Sequence, residues 1–264
     1  MIRACIFDLG GTIVDRYSLS PFLSLKKAFE KYNILVPNAL IFKDMGKHKL
    51  DHINDILSND YIKLSWNNNY GSEPNEETGN QIFRLFNEIQ IESSKNIDII
   101  PETKNIIKYL RSNQIRIGCT TGFNYENMMQ VQHRLNKNGI YLDSYVSSTC
   151  LGKPARPNPS MIYKNMNNLN IIKSNEVVKV DDTVVGIEEG KNAGCWTVGV
   201  AKWSTYMKVK SIDELIFIKE DEIRDRLIHS TDVLKQSGAD YVIDDLNELP
   251  GVINKINEIN YVVY

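Results

Sequence analysis

Asp8 closes an apolar run, Ala4-Cys5-Ile6-Phe7, and is followed at once by Gly10-Gly11-Thr12. A short continuous apolar run reads as a buried parallel strand of a helix-covered sheet. A carboxylate at the carboxyl end of such a strand faces the crevice where α/β sheets bind ligands. Glycines beside it let backbone amides approach a phosphoryl group with no Cβ in the way. A carboxylate held there can attack phosphorus and form an aspartyl-phosphate. Taken alone, the same residues fit an Asp that merely caps a turn after a strand. Three further groups follow in order. Residues 115–119 read as a second short strand running into Thr120-Thr121-Gly122. Lys153 and Arg156 stand in a Pro-rich turn ahead of a helical stretch from about Ser160, and residues 177–180 form another buried run ending at Asp181-Asp182-Thr183.

A strand-end Asp, a strand-end Thr, a cation before a helix and strand-end acids, in that order, resemble the haloacid dehalogenase superfamily. Its members are mostly magnesium-dependent phosphoryl-transfer enzymes. Most of its phosphatases carry a second Asp two residues after the nucleophile, as the general acid for an oxygen leaving group. Here that position is Gly10. An enzyme without this acid has lost phosphatase chemistry or cleaves a bond that needs another electron sink.

The segment Met45-Gly46-Lys47-His48-Lys49-Leu50-Asp51-His52, with Phe7-Asp8-x-x-Gly11-Thr12, is similar to the phosphonoacetaldehyde hydrolase (phosphonatase) family. The resemblance continues through Ser65-Trp66-Asn67, Gly118-x-Thr120-Thr121-Gly122, Arg156-Pro157-x-Pro159, Tyr163-Lys164-Asn165 and the run from Gly190 to Val200. It implies that Lys49 forms a Schiff base with an aldehyde substrate, and the family also has a small residue at the Gly10 position. A P–C bond breaks heterolytically only if carbon can carry the electrons, and an iminium ion is such a sink. The lysine must be neutral to attack, so its pKa must fall well below about 10.4. Leu50, Ile53 and Leu57 form an apolar stripe at helical spacing bordered by Lys49, while Lys47 and His48 add positive charge. His52 falls on the same helical face as Lys49 and could hydrogen-bond it or shuttle protons.

The resemblance further implies Mg2+ bound by Asp8, the backbone carbonyl of Gly10, and Asp182, a hard cation among oxygen ligands. It implies phosphonate contacts from Thr121, the backbone at Gly11 and Gly122, and Arg156 rather than Lys153, with Met45 packed beside Lys49. It also implies a homodimer joined through the caps. Phe22, Phe29 and Tyr32 could serve that interface or, as favoured here, the cap's own core. Several positions depart from the family. The second acid expected four residues after Asp182 is Gly186, Asp181 replaces a glycine, and Glu188 follows. Ser18 stands where Cys is frequent and Phe123 where Tyr is frequent. Two other readings stay open: a phosphatase of small phosphate monoesters, indifferent to loss of Lys49, and a non-catalytic descendant that binds a phosphorylated ligand or a partner.

These residues need elements to hold them. The expected fold is α/β: a Rossmann-like parallel sheet core of the haloacid dehalogenase type, residues 1–16 and 98–264, with an all-helical cap inserted at 17–97. In the cap, Ser20-Pro21 reads as a helix start, Phe22, Leu25, Phe29 and Tyr32 recur at helical spacing, further helical stretches lie near 38–58 and 76–94, and residues 65–74 read as a polar loop. The core is expected to resume with a helix at 102–112 and strands near 115–119, 177–180, 196–200 and 240–243. The two connections would act as hinges, closing Lys49 over Asp8. At 264 residues and 42% hydrophobic content, the chain can build such a core. The net charge of −2, with no basic patch, argues against nucleic-acid binding. No apolar stretch approaches membrane-spanning length and no export signal is evident, so no membrane partner and a cytoplasmic location are expected. The four scattered cysteines fit a reducing compartment.

Overall fold

The computed structural model of the chain describes residues 1–45, 47–151 and 156–262. Six strands form one parallel sheet: β1 (Ala4–Phe7), β2 (Arg116–Thr121), β3 (Ser144–Ser147), β4 (Val177–Asp181), β5 (Trp196–Val200) and β6 (Tyr241–Ile243). Their order is β3-β2-β1-β4-β5-β6, and each neighbouring pair is parallel. Every residue of β1 and β4 is buried, as central strands covered on both faces require. The chain runs from β1 out to β2 and β3 on one side, then returns to β4 on the other. Between β1 and β4 the strand order therefore reverses, which leaves a crevice beyond their carboxyl ends. β1 delivers Asp8 to that crevice, and β4 delivers Asp181 and Asp182.

Between β1 and β2 lie α1 (Leu19–Glu30), α2 (Asn38–Lys43), α3 (Lys49–Leu57), α4 (Asp60–Tyr70), α5 (Glu76–Ser94) and α6 (Thr103–Ser112). The later crossovers carry α7 (Tyr125–Lys137), α8 (Ser160–Asn168), α9 (Val184–Asn192) and α10 (Glu220–Gln236), and α11 (Leu249–Val262) follows β6. Phe22, Leu25 and Phe29 of α1, Ile53 and Ile56 of α3, and Ile82 and Phe86 of α5 bury one face of each helix in a shared apolar cluster. Each such side chain contributes about 1.5–3 kcal/mol on burial. Phe22 and Phe29 are thus interior, and Tyr32 packs against the same cluster. The cluster also takes in Ile100, Trp203, Met207 and Val209, so the helical segment shares its core with the loop after β5.

Two strips of chain join this segment to the sheet. Val14 bridges Ile99 antiparallel, the Asp15 amide donates to the Asp98 carbonyl at 2.7 Å, and the Arg16 guanidinium pairs with the Asp98 carboxylate. Asp15, Tyr17 and Ser18 sit at φ of 58°, 64° and 51°, left-handed values that non-glycine residues adopt at some cost.

Several sequence expectations change. The helical stretch at 38–58 is two helices, α2 and α3; the sequence places Gly46, a poor helix former, between them. The expected loop at 65–74 is helix as far as Tyr70. The Asn-rich run lies on the solvent side of α4, while Ile62 and Trp66, one turn apart, anchor its inner face. Gly71, at φ 72°, then ends the helix. Ser20 is not the cap of α1, which starts at Leu19. Instead the Asp15 carboxylate accepts from the Ser20 amide at 2.9 Å. The edge strand β3 is an addition to the expected set, because Ser-Tyr-Val-Ser is too short and polar to stand out. No helix among the described residues is long and apolar enough to cross a membrane.

Candidate active site

Asp8 lies at the crevice floor, 6% exposed, with its amide donating to the Val180 carbonyl at 2.8 Å. Its Oδ1 meets Arg156 Nη2 at 2.8 Å. The same Nη2 donates to the Thr120 carbonyl and to Thr120 Oγ1 at 2.8 and 2.7 Å, while Arg156 Nε lies 2.9 Å from Glu189 Oε2. Lys179, fully buried in β4, places Nζ 2.8 Å from Asp181 Oδ2 and 2.7 Å from Thr120 Oγ1. Thr120 Oγ1 donates in turn to Glu189 Oε2 at 3.0 Å. Burial pushes the Asp8 carboxyl up to about 6, against the pull of Arg156. Burial alone would weaken the charge on Arg156, but Glu189, Asp8 and Asp181 more than offset it and hold the guanidinium protonated.

Asp182 is buried against Thr12 Oγ1 at 3.3 Å and the Thr205 amide at 3.3 Å. Burial, and then the Asp181 and Asp8 charges, hold its carboxyl well above the ordinary range. Asp181 also feels burial, but Lys179 and Arg156 outweigh it and keep its carboxyl below the ordinary range. Gly11 is required here on two counts: its φ is 74°, and a Cβ would fall 2.3 Å from Asp182 Oδ2. Gly10 is not sterically required, since a Cβ there would touch nothing nearer than Ser18 Oγ at 3.6 Å.

Above the crevice, α3 opens with Lys49, half-buried. Lys49 and Met45 line the same small cavity as Asp8, Gly10, Thr121 and Arg156. Burial lowers the Lys49 ammonium to about 8, although the Asp44 and Asp8 charges act the other way. Among the described residues its Nζ has a single long contact, 3.5 Å, to the Lys47 carbonyl. His52 is fully buried below it, and burial followed by the Lys49 charge pushes the imidazole down to about 3, so the ring is neutral. No hydrogen bond joins His52 to Lys49 among the described residues.

The residues suit a divalent cation. Asp8, Asp181 and Asp182 each offer a carboxylate oxygen, all within 4.8 Å of one another. Among the described residues, four buried carboxylates, these three and Glu189, face two buried cations, Arg156 and Lys179. Among the described residues Asp182 has no ion-pair partner. With all four ionised, two negative charges are in excess, and a hard dication with oxygen ligands would balance them.

Comparison with known proteins agrees with this geometry. Residues 5–200 match the family described as haloacid dehalogenase-like hydrolase. The chain is 34% identical to a phosphonoacetaldehyde hydrolase of Paraburkholderia phytofirmans, covering 97% of this chain and 95% of that protein. The chain belongs to this family. A bifunctional phosphonoacetaldehyde hydrolase/aminoethylphosphonate transaminase of Clostridioides difficile is 32% identical over 97% of this chain, which spans 40% of that longer protein. The crystal structure of a phosphonoacetaldehyde hydrolase like protein from Oleispira antarctica superposes with a TM-score of 0.91 at 31% identity, covering 97% of this chain and 93% of that one.

For a haloacid dehalogenase-like hydrolase, the placement of the expected residues is informative. Asp8, Gly10, Met45, Lys49, Thr121, Gly122 and Arg156 border one cavity. Gly11 packs against Asp182, and His52 is buried within α3; these three are outside the cavity lining. Ser18 and Phe123 also reach the cavity wall. Lys153 falls outside the described residues. Sequence reasoning missed Lys179, Thr120 and Glu189. The signal for Lys179 was present: a lysine inside an apolar strand run needs a buried acid. Glu189 carried no comparable signal, because one acid of a Glu-Glu pair on a helix is ordinarily solvated.

Proposed function

We propose that the chain hydrolyses the carbon–phosphorus bond of phosphonoacetaldehyde, consuming one water and giving acetaldehyde and phosphate. The observation that carries this reading is the meeting of Asp8 and Lys49 in one cavity, with no acid at position 10. Membership of the family supports a hydrolase acting on such a bond.

Lys49, as the free amine, condenses with the aldehyde and releases water. The resulting iminium accepts the electron pair of the P–C bond as Asp8 Oδ attacks phosphorus from the opposite side. The carbon leaves as an enamine, takes a proton, and a water hydrolyses the imine to acetaldehyde and free Lys49. A second water cleaves the aspartyl-phosphate. Arg156 holds Asp8 and balances the phosphoryl charge, a task for a fixed cation with forked donors. Thr121 and the backbone at Gly11 and Gly122 donate to the phosphonate oxygens. Met45 packs beside Lys49 and, with residues 17–97 closing as a cap over the core, keeps water from the iminium. Asp8, the Gly10 carbonyl and Asp182 would hold Mg2+, which supplies charge neutralisation for two phosphonate oxygens when bound. A homodimer through the helical segment would use exposed Leu35, Tyr61, Leu64 and Tyr70, since Phe22 and Phe29 are interior.

Acetaldehyde release from phosphonoacetaldehyde, with and without magnesium, tests the proposal. Sodium borohydride added with substrate should leave a covalent adduct on Lys49, and Lys49→Ala should abolish both adduct and turnover. Magnesium-dependent hydrolysis of phosphate monoesters that survives Lys49→Ala would point to a phosphatase instead.

A further inference from the structure

Lys49 borders a second void. This void shares Lys49, Gly122 and Phe123 with the cavity that holds Asp8, but neither Asp8 nor Arg156 borders it. α3 and α5 wall it with Lys49, Phe83 and Phe86, and the start of α7 closes it with Asn127. Its volume is about 20 Å³, room for a single water molecule and too small for a carbon chain.

Asn127 lines this void and is 1% exposed. In the first turn of α7 only its backbone serves the helix: the amide donates to Oδ1 of the N-cap, Asn124, at 2.8 Å. Asn124 Nδ2 donates in turn to Asn87 Oδ1 of α5 at 3.2 Å, so the same cap ties α7 to the helical segment. Asn127 Oδ1 is buried and has no donor among the described residues. A buried acceptor left unmatched is destabilising, whereas an apolar side chain of similar shape would be tolerated there. The orphaned oxygen therefore calls for a donor from within the void. Asn87, Thr149 and Lys49 also border it, which gives a water molecule the several polar neighbours it requires.

We propose that Asn127 positions one water beside Lys49, and that this is the water exchanged with the imine carbon. The inference rests on the Lys49 imine of the reaction given above. In imine hydrolysis the water oxygen bonds to the iminium carbon as the C=N π pair returns to nitrogen. The C–N bond then breaks, both water protons end on the Lys49 nitrogen as ammonium, and acetaldehyde leaves. Asn127 Oδ1 accepts one O–H and so turns an oxygen lone pair toward carbon. Imine formation is the reverse passage, and the water it expels enters the same void. The water that cleaves the aspartyl-phosphate is a different one, since Asp8 does not border this void.

Single-turnover reactions with enzyme in excess, quenched with borohydride at intervals, separate the steps. The substrate imine is trapped as a phosphonoethyl group on Lys49 and the product imine as a lighter ethyl group, resolved by mass. Asn127→Leu keeps the volume and removes the acceptor, so appearance of the first adduct and loss of the second should each slow about tenfold or more. Conversion of the first to the second is P–C cleavage, which consumes no water and should stay within about threefold of the parent. Asn127→Ser, which keeps an acceptor, should recover most of the lost rate. Equal slowing of all three steps in Asn127→Leu would mark a structural role alone and overturn the proposal, as would a folded Asn127→Ser no faster than Asn127→Leu. Circular dichroism checks folding, and if Asn127→Leu does not fold, Asn127→Ala removes the acceptor without added bulk and decides. A parent that turns over with no adduct on Lys49 overturns the imine and this inference together. A parent that forms both adducts, with entry and exit in Asn127→Leu within about threefold of it, overturns this inference and leaves the reaction intact.

Discussion

A lysine that attacks a carbonyl must lose its proton near neutrality, and Lys49 is set up for that by its place at the first turn of α3. Burial brings its ammonium from the ordinary 10.5 to about 8. The rate of borohydride-trapped adduct formation should therefore rise with pH and level off above about 8; an inflection near 10 would contradict the desolvation argument. The same shift has a sign in stability. Between about 8 and 10.5 the unfolded chain keeps a proton that the folded chain has lost, so this group's contribution to stability rises with pH across that window. The proposed mechanism gives Asp8 and Lys49 separable roles. Asp8→Asn should cut turnover by about 10³-fold or more while leaving the Lys49 adduct trappable, because imine formation precedes attack on phosphorus. Loss of the adduct in that variant would argue that the two residues act in one step.

At the scale of elements, β4 carries more of the site than its length suggests. Lys179 stands mid-strand, Asp181 at its end and Asp182 just beyond it, and Lys179 shares Asp181, Thr120 and Glu189 with Arg156. Removing one partner of a buried ion network leaves an uncompensated charge, so Lys179→Met should destabilise the fold by about 3–5 kcal/mol, read by denaturant unfolding. A change below about 1 kcal/mol would contradict the uncompensated-charge argument. Gly71 makes a simpler test. Its φ is 72° and a Cβ at that position would meet nothing within 4 Å, so Gly71→Ala should cost about 1 kcal/mol from backbone strain alone.

For the whole molecule, the relation between helical segment and sheet is the notable feature. The two connecting strips are paired to each other, and the Tyr17 amide donates to the Trp203 carbonyl at 2.6 Å. The Trp203 indole packs edge-on against Tyr17 at 5.5 Å between ring centres, and its Nε1 donates to Glu102 Oε2 at 3.0 Å. With Trp203, Met207 and Val209 inside the helical cluster, the helical segment has no core wholly its own. Calorimetry should therefore show one cooperative unfolding transition; two separated transitions would mean the segments fold independently. The same ties would hold the closing motion proposed for the helical segment to small rotations at residues 15–18 and 98–101.

Local pattern in the chain was enough to specify the strands other than β3, the place of Asp8 at a strand end and the helical character of the region after it, because burial on two faces and helical spacing both write themselves into neighbouring residues. It also carried the motif around Lys49. It did not carry the extent of α4, whose polar run is anchored only by Ile62 and Trp66, nor the cap supplied by Asp15. Tertiary structure alone decided that Lys179, Thr120 and Glu189 converge on Arg156, and that the Asp181 carboxyl fills the space beside Gly186. Those contacts join strands and helices far apart in sequence. Which buried charges meet is settled by how the sheet is ordered, and no local spacing encodes that.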